Sequence, residues 1–429
     1  MKKWLCMIFV GILITSIAAC SAGGGEEMAS TEKPGIQEGK TAVTLSIQQP
    51  SAFYQTAEKK FEEKYPDIDL QIQITEDYEQ YQKTTNTAIL SEKGPDIFEV
   101  SGLPIDAYVR KNLLLNMEKF MEQDETLHKS DFQMNILDAL KSHGSMYAMP
   151  FGFYLRAFVG DGDILQNASI DDKNWSWKEF EEISKKLGES AAERRYALAN
   201  DPPDVLLQEM IVDKYTEFVD HTATKAKFDS PLFVAAMQQI KNMYDNKVIT
   251  SEPADVGKQM FYSTVLRSPA DFINGLYTFF ANPQLLKKPE QTGGARIVLA
   301  SQFAIQAKSS VQEEAWKFIV FMLSEEGQSL RERQGFSLLK SVNEKQLNDI
   351  QEQVKGGTYK LPDGKAPKVS DEAFTKFKQF IHTADNYTDA DGKVISIVGE
   401  ESIAFFSKQK TAEEVAKLIQ NRVTTYLNE

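Results

Sequence analysis

The sequence predicts an α/β fold, and three observations carry the prediction. Between residues 41 and 100, three runs of strand character alternate with two of helical character. Apolar residues make up 42% of the chain, enough for a sizeable core. Its 429 residues leave room for two or three domains of ordinary size.

Each element has a local reason. Val43, Leu45 and Ile47 fall on alternate positions, so Thr41 to Ile47 reads as a strand. Gln48-Gln49-Pro50-Ser51 breaks it, and Ser51 can cap a helix whose Phe53, Ala57 and Phe61 share one face. Tyr65-Pro66 stops that helix. Ile68, Leu70, Ile72 and Ile74 alternate with polar residues as a second strand. A helix from Tyr78 to Leu90 leads through Gly94-Pro95 to a third strand, Asp96 to Val100. This alternation predicts a parallel sheet, in which ligands bind outside the carboxyl ends of the strands. The rest is more helical. Ser176-Trp177-Lys178-Glu179 is a capping box, with Trp175 and Phe180 at the two staple positions. Ser230-Pro231 opens a helix carrying Phe233, Met237, Ile240 and Tyr244. Ala295 to Ile305 is β-rich and is followed by an apolar helix from Val311 to Leu323. Thr411-Ala412-Glu413-Glu414 is a second capping box, opening a final helix through Val415, Leu418, Ile419 and Tyr426.

The first twenty residues read as an address. Lys2 and Lys3 precede an apolar run from Trp4 to Ile17, short of the ~20 residues a spanning helix needs. Ile17-Ala18-Ala19-Cys20 resembles a bacterial lipobox, in which cleavage leaves the cysteine N-terminal and lipid-modified. Residues 1–19 are then a lipoprotein signal peptide and 20–40 a Gly/Ser-rich tether, which anchors the protein on the extracytoplasmic face of the cell membrane. Losing Lys2 and Lys3 carries the formal charge from −14 to −16. With 48 Lys and Arg against 62 Asp and Glu, nucleic acid is excluded as a partner, because phosphate binding needs a basic face. Cys6 and Cys20 are the two cysteines, so the body has no disulfide and no cysteine nucleophile. The four histidines have no metal-binding spacing, and neither metal nor cofactor is expected.

A series of short motifs resembles one family. Phe61-Glu62-Glu63-Lys64-Tyr65-Pro66 matches an "F-E-x-x-Y-P" helix end, and Gly94-Pro95-Asp96-Ile97 a "G-x-P-D" strand entry with one residue fewer. Tyr147-Ala148-Met149-Pro150, then Arg156-Ala157, fits a "Y-x-x-P" crossover, and Ser176 to Phe180 is close to "T-W-x-E-(F/L)". Glu314-Ala315-Trp316-Lys317-Phe318 through Ser324-Glu325-Glu326 and Gln328 resembles "A-W-x-F…S-x-E-x-Q", and Tyr426-Leu427-Asn428-Glu429 is a typical ending. Together they resemble the extracellular solute-binding proteins of ABC importers, the family of maltose-binding-protein-like carbohydrate receptors. The resemblance implies a two-lobed periplasmic-binding-protein fold (type II), each lobe a sheet flanked by helices, joined by hinge crossovers. One lobe would be 41–152 plus 301–340, the other 153–300 plus 341–429. It further implies a monomeric, non-enzymatic receptor that closes on a small polar solute and delivers it to permease subunits. A sugar or oligosaccharide is the expected solute; a sugar acid, an aminated sugar and a short peptide stay open. The chain departs from the family twice. Gly160-Asp161 stands where a "Y-N" pair is usual, and Thr264-Val265-Leu266-Arg267-Ser268-Pro269 where many members have a Gly-Pro-Trp loop. The alternatives are a sensing receptor without transport and a lipid-anchored glycoside hydrolase. Carboxylate pairs such as Glu181-Glu182 or Asp171-Asp172 would serve the hydrolase but read as solvated surface charge.

Sugar recognition calls for aromatic faces and directed hydrogen bonds at strand ends. The candidates are Gln48, Gln49 and Tyr54 after the first strand, Glu76 and Asp77 after the second, and Glu99 and Ser101 after the third. The crossover adds Phe151, Phe153, Tyr154 and Arg156, with Phe153 and Tyr154 the best stacking faces and Arg156 expected to pair with Asp161 or Asp163 if not with ligand. Asn200, Asp201, Leu266 and Arg267 would come from the second lobe, and Ser301 and Gln302 from the return crossover. Trp175 is explained by its staple position, and Trp177 and Trp316 by core packing. Asp389-Ala390-Asp391-Gly392 reads as a turn before a strand, since Tyr387 and Val398 stand where a calcium loop needs carboxylates. Gly160-Asp161-Gly162-Asp163 reads as a turn, its carboxylates repelling phosphate.

Overall fold

A computed structural model describes residues 39–428 except 101, 167, 169, 190–194, 221–222 and 256–257, all within the unit Gln37–Glu429. Cys20 and Ser101 therefore lie outside the described residues. Strands β1 (Thr41–Ile47) and β2 (Ile68–Ile74) pair in parallel, from Thr41 against Ile68 to Ile47 against Ile74. The helix joining them, Ala52–Lys64, starts at Ser51, whose hydroxyl accepts from the Phe53 amide, and it buries Phe53, Tyr54, Ala57 and Phe61. Strand β3 (Ile97–Glu99) lies parallel to β1 and is shorter than the sequence suggested. Its expected first residue, Asp96, instead brackets β1, its carboxylate accepting from the Thr44 amide at 2.9 Å and hydroxyl at 2.7 Å.

Beyond β3 the sheet is mixed. Strand β4 (Met149–Asp161) is the long crossover; β5 (Val219–Asp220) and β6 (Lys225–Ala226) pair only with each other; β7 (Phe261–Leu266), β8 (Pro283–Leu286) and β9 (Arg296–Ile305) follow. Seven strands make one sheet in the order β2-β1-β3-β9-β4-β7, with β8 also on β4. β9 runs antiparallel to both β3 and β4, and β4 antiparallel to β7 and β8. The parallel expectation holds for β1 to β3 and fails after them, because the chain returns from its second half along β9, against the direction of the strands it joins.

Two large apolar clusters flank this crossing, as a two-lobed fold requires. One gathers β1, β3 and the helices Ala52–Lys64, Gln312–Leu323 and Asp371–His382. The other gathers the helices Trp177–Glu189, Pro203–Asp213, Pro231–Asp245, Gly392–Phe406 and Ala412–Leu427. β4 feeds both, giving Phe153 and Leu155 to the first and Phe158 to the second. The caps form as read: Ser176 and Glu179 exchange amide bonds, as do Thr411 and Glu414. Trp175 and Phe180 meet with ring centroids 5.7 Å apart, and Trp177 and Trp316 are buried.

Three local expectations are corrected. Asp391 precedes a helix and not a strand; its carboxylate caps Gly392–Phe406 by accepting from the Lys393 and Val394 amides. Gly160-Asp161 completes β4, and Asp161 caps the short helix Gly162–Leu165. Glu181 is buried and not a solvated surface charge, held by Lys185, Gln239 and Asn246 across neighbouring helices.

Candidate functional site

The site begins with an irregularity in β4. Its register against β9 shifts on either side of Gly152, and the segment at 333–336 docks there through a bridge from Phe336 to Phe153. Phe153 and Phe336 exchange backbone bonds, the Phe153 amide donating at 3.2 Å and the Phe336 amide at 2.7 Å. Only glycine fits on both sides of this contact. A Cβ on Gly152 would stand 2.5 Å from the Gln334 carbonyl, and one on Gly335, at φ +88°, would stand 2.7 Å from the Phe153 carbonyl. The docking brings Gln334 to Tyr154, whose hydroxyl donates to Gln334 Oε1 at 2.9 Å.

Tyr154 joins several predicted residues. The Arg267 guanidinium stands 6.0 Å from the centre of its ring, a cation–π distance. Burial raises its phenol, and Arg267 partly offsets the rise. Tyr54 lies nearby, its hydroxyl donating to Ser301 Oγ at 3.1 Å and its ring edge-on to Phe303. Burial pushes the Tyr54 phenol up strongly, with Glu99 and Tyr154 adding to the rise. Glu99 in turn accepts from the Gln48 amide at 3.1 Å. Gln48, Tyr54, Glu99, Tyr154, Arg267 and Ser301 are thus brought together from five separate stretches of chain. A cavity of about 620 Å³ opens beside Tyr154 and Arg267, lined also by Ser329, Arg331, Arg333, Gln334 and Gln346.

Arg156 belongs to a second arrangement. It pairs directly across the sheet with Arg296, two like charges that repel unless carboxylates separate them. The helix Pro203–Asp213 supplies these at i and i+4. Glu209 binds Arg156 at 2.9 Å and Arg296 at 2.5 Å, while Asp213 binds Arg296 at 3.1 Å and Lys288 at 2.5 Å. Burial works against the Glu209 charge, but Lys288, Arg296 and Arg156 outweigh it and hold the carboxyl below its usual range. Asp201 sits beside this ladder, raised by burial and only partly relieved by Arg156 and Lys288. The expected partner of Arg156 is corrected accordingly: it is Glu209, from across the lobe, and neither Asp161 nor Asp163.

Other candidates are placed elsewhere. Phe151, Phe153 and Leu266 are buried in the core; Phe151 stacks on Phe303 and Phe153 on Phe336, so neither ring keeps a free face for a sugar. Gln302 is buried in β9 against Pro150. Asp77 caps the helix Tyr78–Leu90, its carboxylate accepting from the Gln80 amide at 2.7 Å. Gln49 donates to the Glu76 carbonyl at 3.5 Å, both side chains remaining exposed. Asn200 is an exposed turn residue at φ +58°. Sequence reasoning missed Arg331, Arg333, Gln334 and Gln346, although the Arg-Glu-Arg-Gln-Gly run at 331–335 was a visible basic signal. It also missed Glu209 and Asp213, whose four-residue spacing was visible but whose cationic partners were not. Among the described residues, no group of His, Cys, Asp or Glu is arranged to hold a metal, and no helix is long and apolar enough to cross a membrane.

A two-lobed body around crossing strands, with polar and aromatic side chains converging at strand ends, defines a receptor for solutes. Residues 45–329 match the model of the bacterial extracellular solute-binding proteins, and the chain belongs to that family. It is similar in fold to a family 1 extracellular solute-binding protein from Alicyclobacillus acidocaldarius, with 17% identity, a TM-score of 0.61, and 92% of this chain and 100% of that one covered. A periplasmic oligogalacturonide-binding protein from Yersinia enterocolitica gives 16% identity and a TM-score of 0.59, over 90% of this chain and 99% of that one. A substrate-binding protein from Listeria monocytogenes, solved with cycloalternan, gives 18% identity and a TM-score of 0.56, over 91% and 99%.

Proposed function

We propose that this chain is a lipid-anchored receptor that captures a saccharide between its lobes and delivers it to the permease subunits of an ABC importer, without turning the ligand over. The observation that carries the reading is the convergence at Tyr154. An aromatic ring, several hydroxyls, three guanidinium groups and two glutamine amides border one cavity, a mixture suited to a ligand with apolar ring faces and many hydroxyls. The structurally similar proteins that bind oligogalacturonide and cycloalternan support a saccharide over a peptide. We keep lobes of 41–152 plus 301–340 and 153–300 plus 341–429 with β4 and β9 as the crossing strands, except that the helix Asp371–His382 packs with the first cluster and is assigned to the first lobe. Gln48, Tyr54, Glu99, Tyr154, Arg267 and Ser301 are the residues we assign to contact or frame the ligand. Cys20 is assigned as the lipidated N-terminus of a monomeric mature protein.

A thermal-shift screen of the protein against neutral and acidic oligosaccharides tests the reading. A true ligand at 100 times its dissociation constant adds ~2.7 kcal/mol of stability. Stabilisation by short peptides with none by any saccharide rejects it, and hydrolysis of a bound saccharide by the pure protein replaces it with the hydrolase alternative.

A further inference from the structure

The cavity beside Tyr154 has a charge character that saccharide binding alone does not call for. Three arginines line it, Arg267, Arg331 and Arg333, and no Asp or Glu does. The chain as a whole is acidic, with 62 Asp and Glu against 48 Lys and Arg, so a lining with three cations and no carboxylate runs against its overall charge. The arginines that form ion pairs among the described residues are Arg156, Arg296 and Arg422, and none of the cavity arginines is among them. Arg333 is the most constrained of the three. Its Nε donates to the Gln328 carbonyl at 2.7 Å and its Nη1 to the Gly335 carbonyl at 2.8 Å, with a longer bond to the Gln334 carbonyl. These bonds fix the plane of the guanidinium by backbone alone and leave Nη2 for another acceptor. Burial lowers Arg333 to about 10, and the acceptors it has are neutral backbone carbonyls. Arg267 is exposed at the mouth, against the Tyr154 ring. A guanidinium held in place with its Nη2 left to donate, and a second guanidinium at the rim, match an anionic carboxylate better than a neutral hydroxyl.

We propose that this cavity receives the carboxylate of an acidic saccharide, a uronate-type ligand, with Arg333 and Arg267 as its donors and Tyr154 beside the sugar ring. The assignment rests on the saccharide reading above and narrows it to one class.

Titration calorimetry on the full-length chain decides it, using oligomers of galacturonate, glucuronate and mannuronate. Each is paired with its fully methyl-esterified form, which keeps the ring and removes the charge; maltose and inorganic phosphate complete the panel. At least one acidic oligomer binds, esterification weakens it about tenfold or more, and its affinity falls with added salt. Arg267→Gln, an exposed change whose folding is checked by melting, removes most of the difference between acid and ester. Arg333→Lys, which keeps the charge and loses the backbone-fixed Nη2 donor, weakens the acid more than the ester. Equal binding of acid and ester, or an acid affinity unchanged in Arg267→Gln, overturns the assignment. Binding of neutral saccharides alone overturns it while leaving the saccharide reading intact. No binding by any saccharide, acidic, esterified or neutral, removes both. Phosphate binding that depends on Arg267, with no acidic saccharide bound, shows a site for a small anion and also overturns it.

Discussion

Tyr154 and Gly335 show how single residues divide the work between binding and folding. Tyr154 is half-buried on β4 with its hydroxyl on Gln334, so its ring contributes little to either core cluster. Tyr154→Ala is expected to weaken saccharide binding by ~1–3 kcal/mol, the scale of a desolvated aromatic contact, with little change in melting temperature. Calorimetry and melting on the same variant check this; unaltered affinity with a large drop in melting temperature would make Tyr154 a core residue. Gly335 has the opposite profile. Its φ of +88° and its approach to the Phe153 carbonyl leave no room for a side chain, so Gly335→Ala costs about 1–3 kcal/mol in a denaturant melt. That variant also shifts Gln334 and Arg333 and weakens the ligand, although residue 335 carries no side chain to touch it.

The element that matters most between sheet and helix is the charge ladder on Pro203–Asp213. Glu209 separates two arginines that the β4–β9 register sets opposite each other. Glu209→Gln leaves them facing with half the compensation and is expected to cost about 2–4 kcal/mol, toward the low side for a buried pair because Glu209 keeps 25% exposure. A double-mutant cycle with Arg156→Met shows whether the loss is the pair itself. The pH dependence has a definite sign. Glu209 is held below its ordinary value of 4.5, so its stabilisation is complete above that pH and disappears as the pH falls through the folded value. Asp201, raised by burial, acts the other way and favours the folded state while protonated. Melting temperatures between pH 3 and 7 should therefore fall more steeply on the acid side in the native chain than in Glu209→Gln, at roughly the ordinary carboxylate range.

At the scale of the whole molecule, two crossing strands running in opposite directions tie two cores together while leaving each lobe its own apolar packing. Such an arrangement lets ligand select a closed state without unfolding either lobe. Small-angle scattering should show a smaller radius of gyration when a saturating saccharide is added, and a radius unchanged by a ligand that calorimetry shows to bind would argue against closure. The lipid anchor is tested separately. Cys20→Ser should release the protein from membranes into the medium, and a variant that stays membrane-bound and unprocessed would remove the anchor.

What the sequence determined by itself was whatever depends on residues within about four positions of one another. The strands β1 and β2, the caps at Ser51, Ser176, Ser230 and Thr411, and the Trp175–Phe180 staple all formed where they were read, although in β2 burial follows position along the strand and leaves Ile74 exposed. The reason is that a strand face or a first helical turn is satisfied by its own neighbours. The family motifs extended this reading to the two-lobed plan. Only the tertiary structure decided the rest. No local window shows that Arg156 and Arg296 meet across a sheet, that Glu209 arrives between them, or that the segment at 333–336 docks on Gly152. Burial was equally hidden: Phe153 and Tyr154 are adjacent aromatics of similar local promise, and the pleat of β4 sends one into the core and leaves the other at the cavity. Alternation could say that they face opposite ways; which way was inward depended on Phe336, far along the chain.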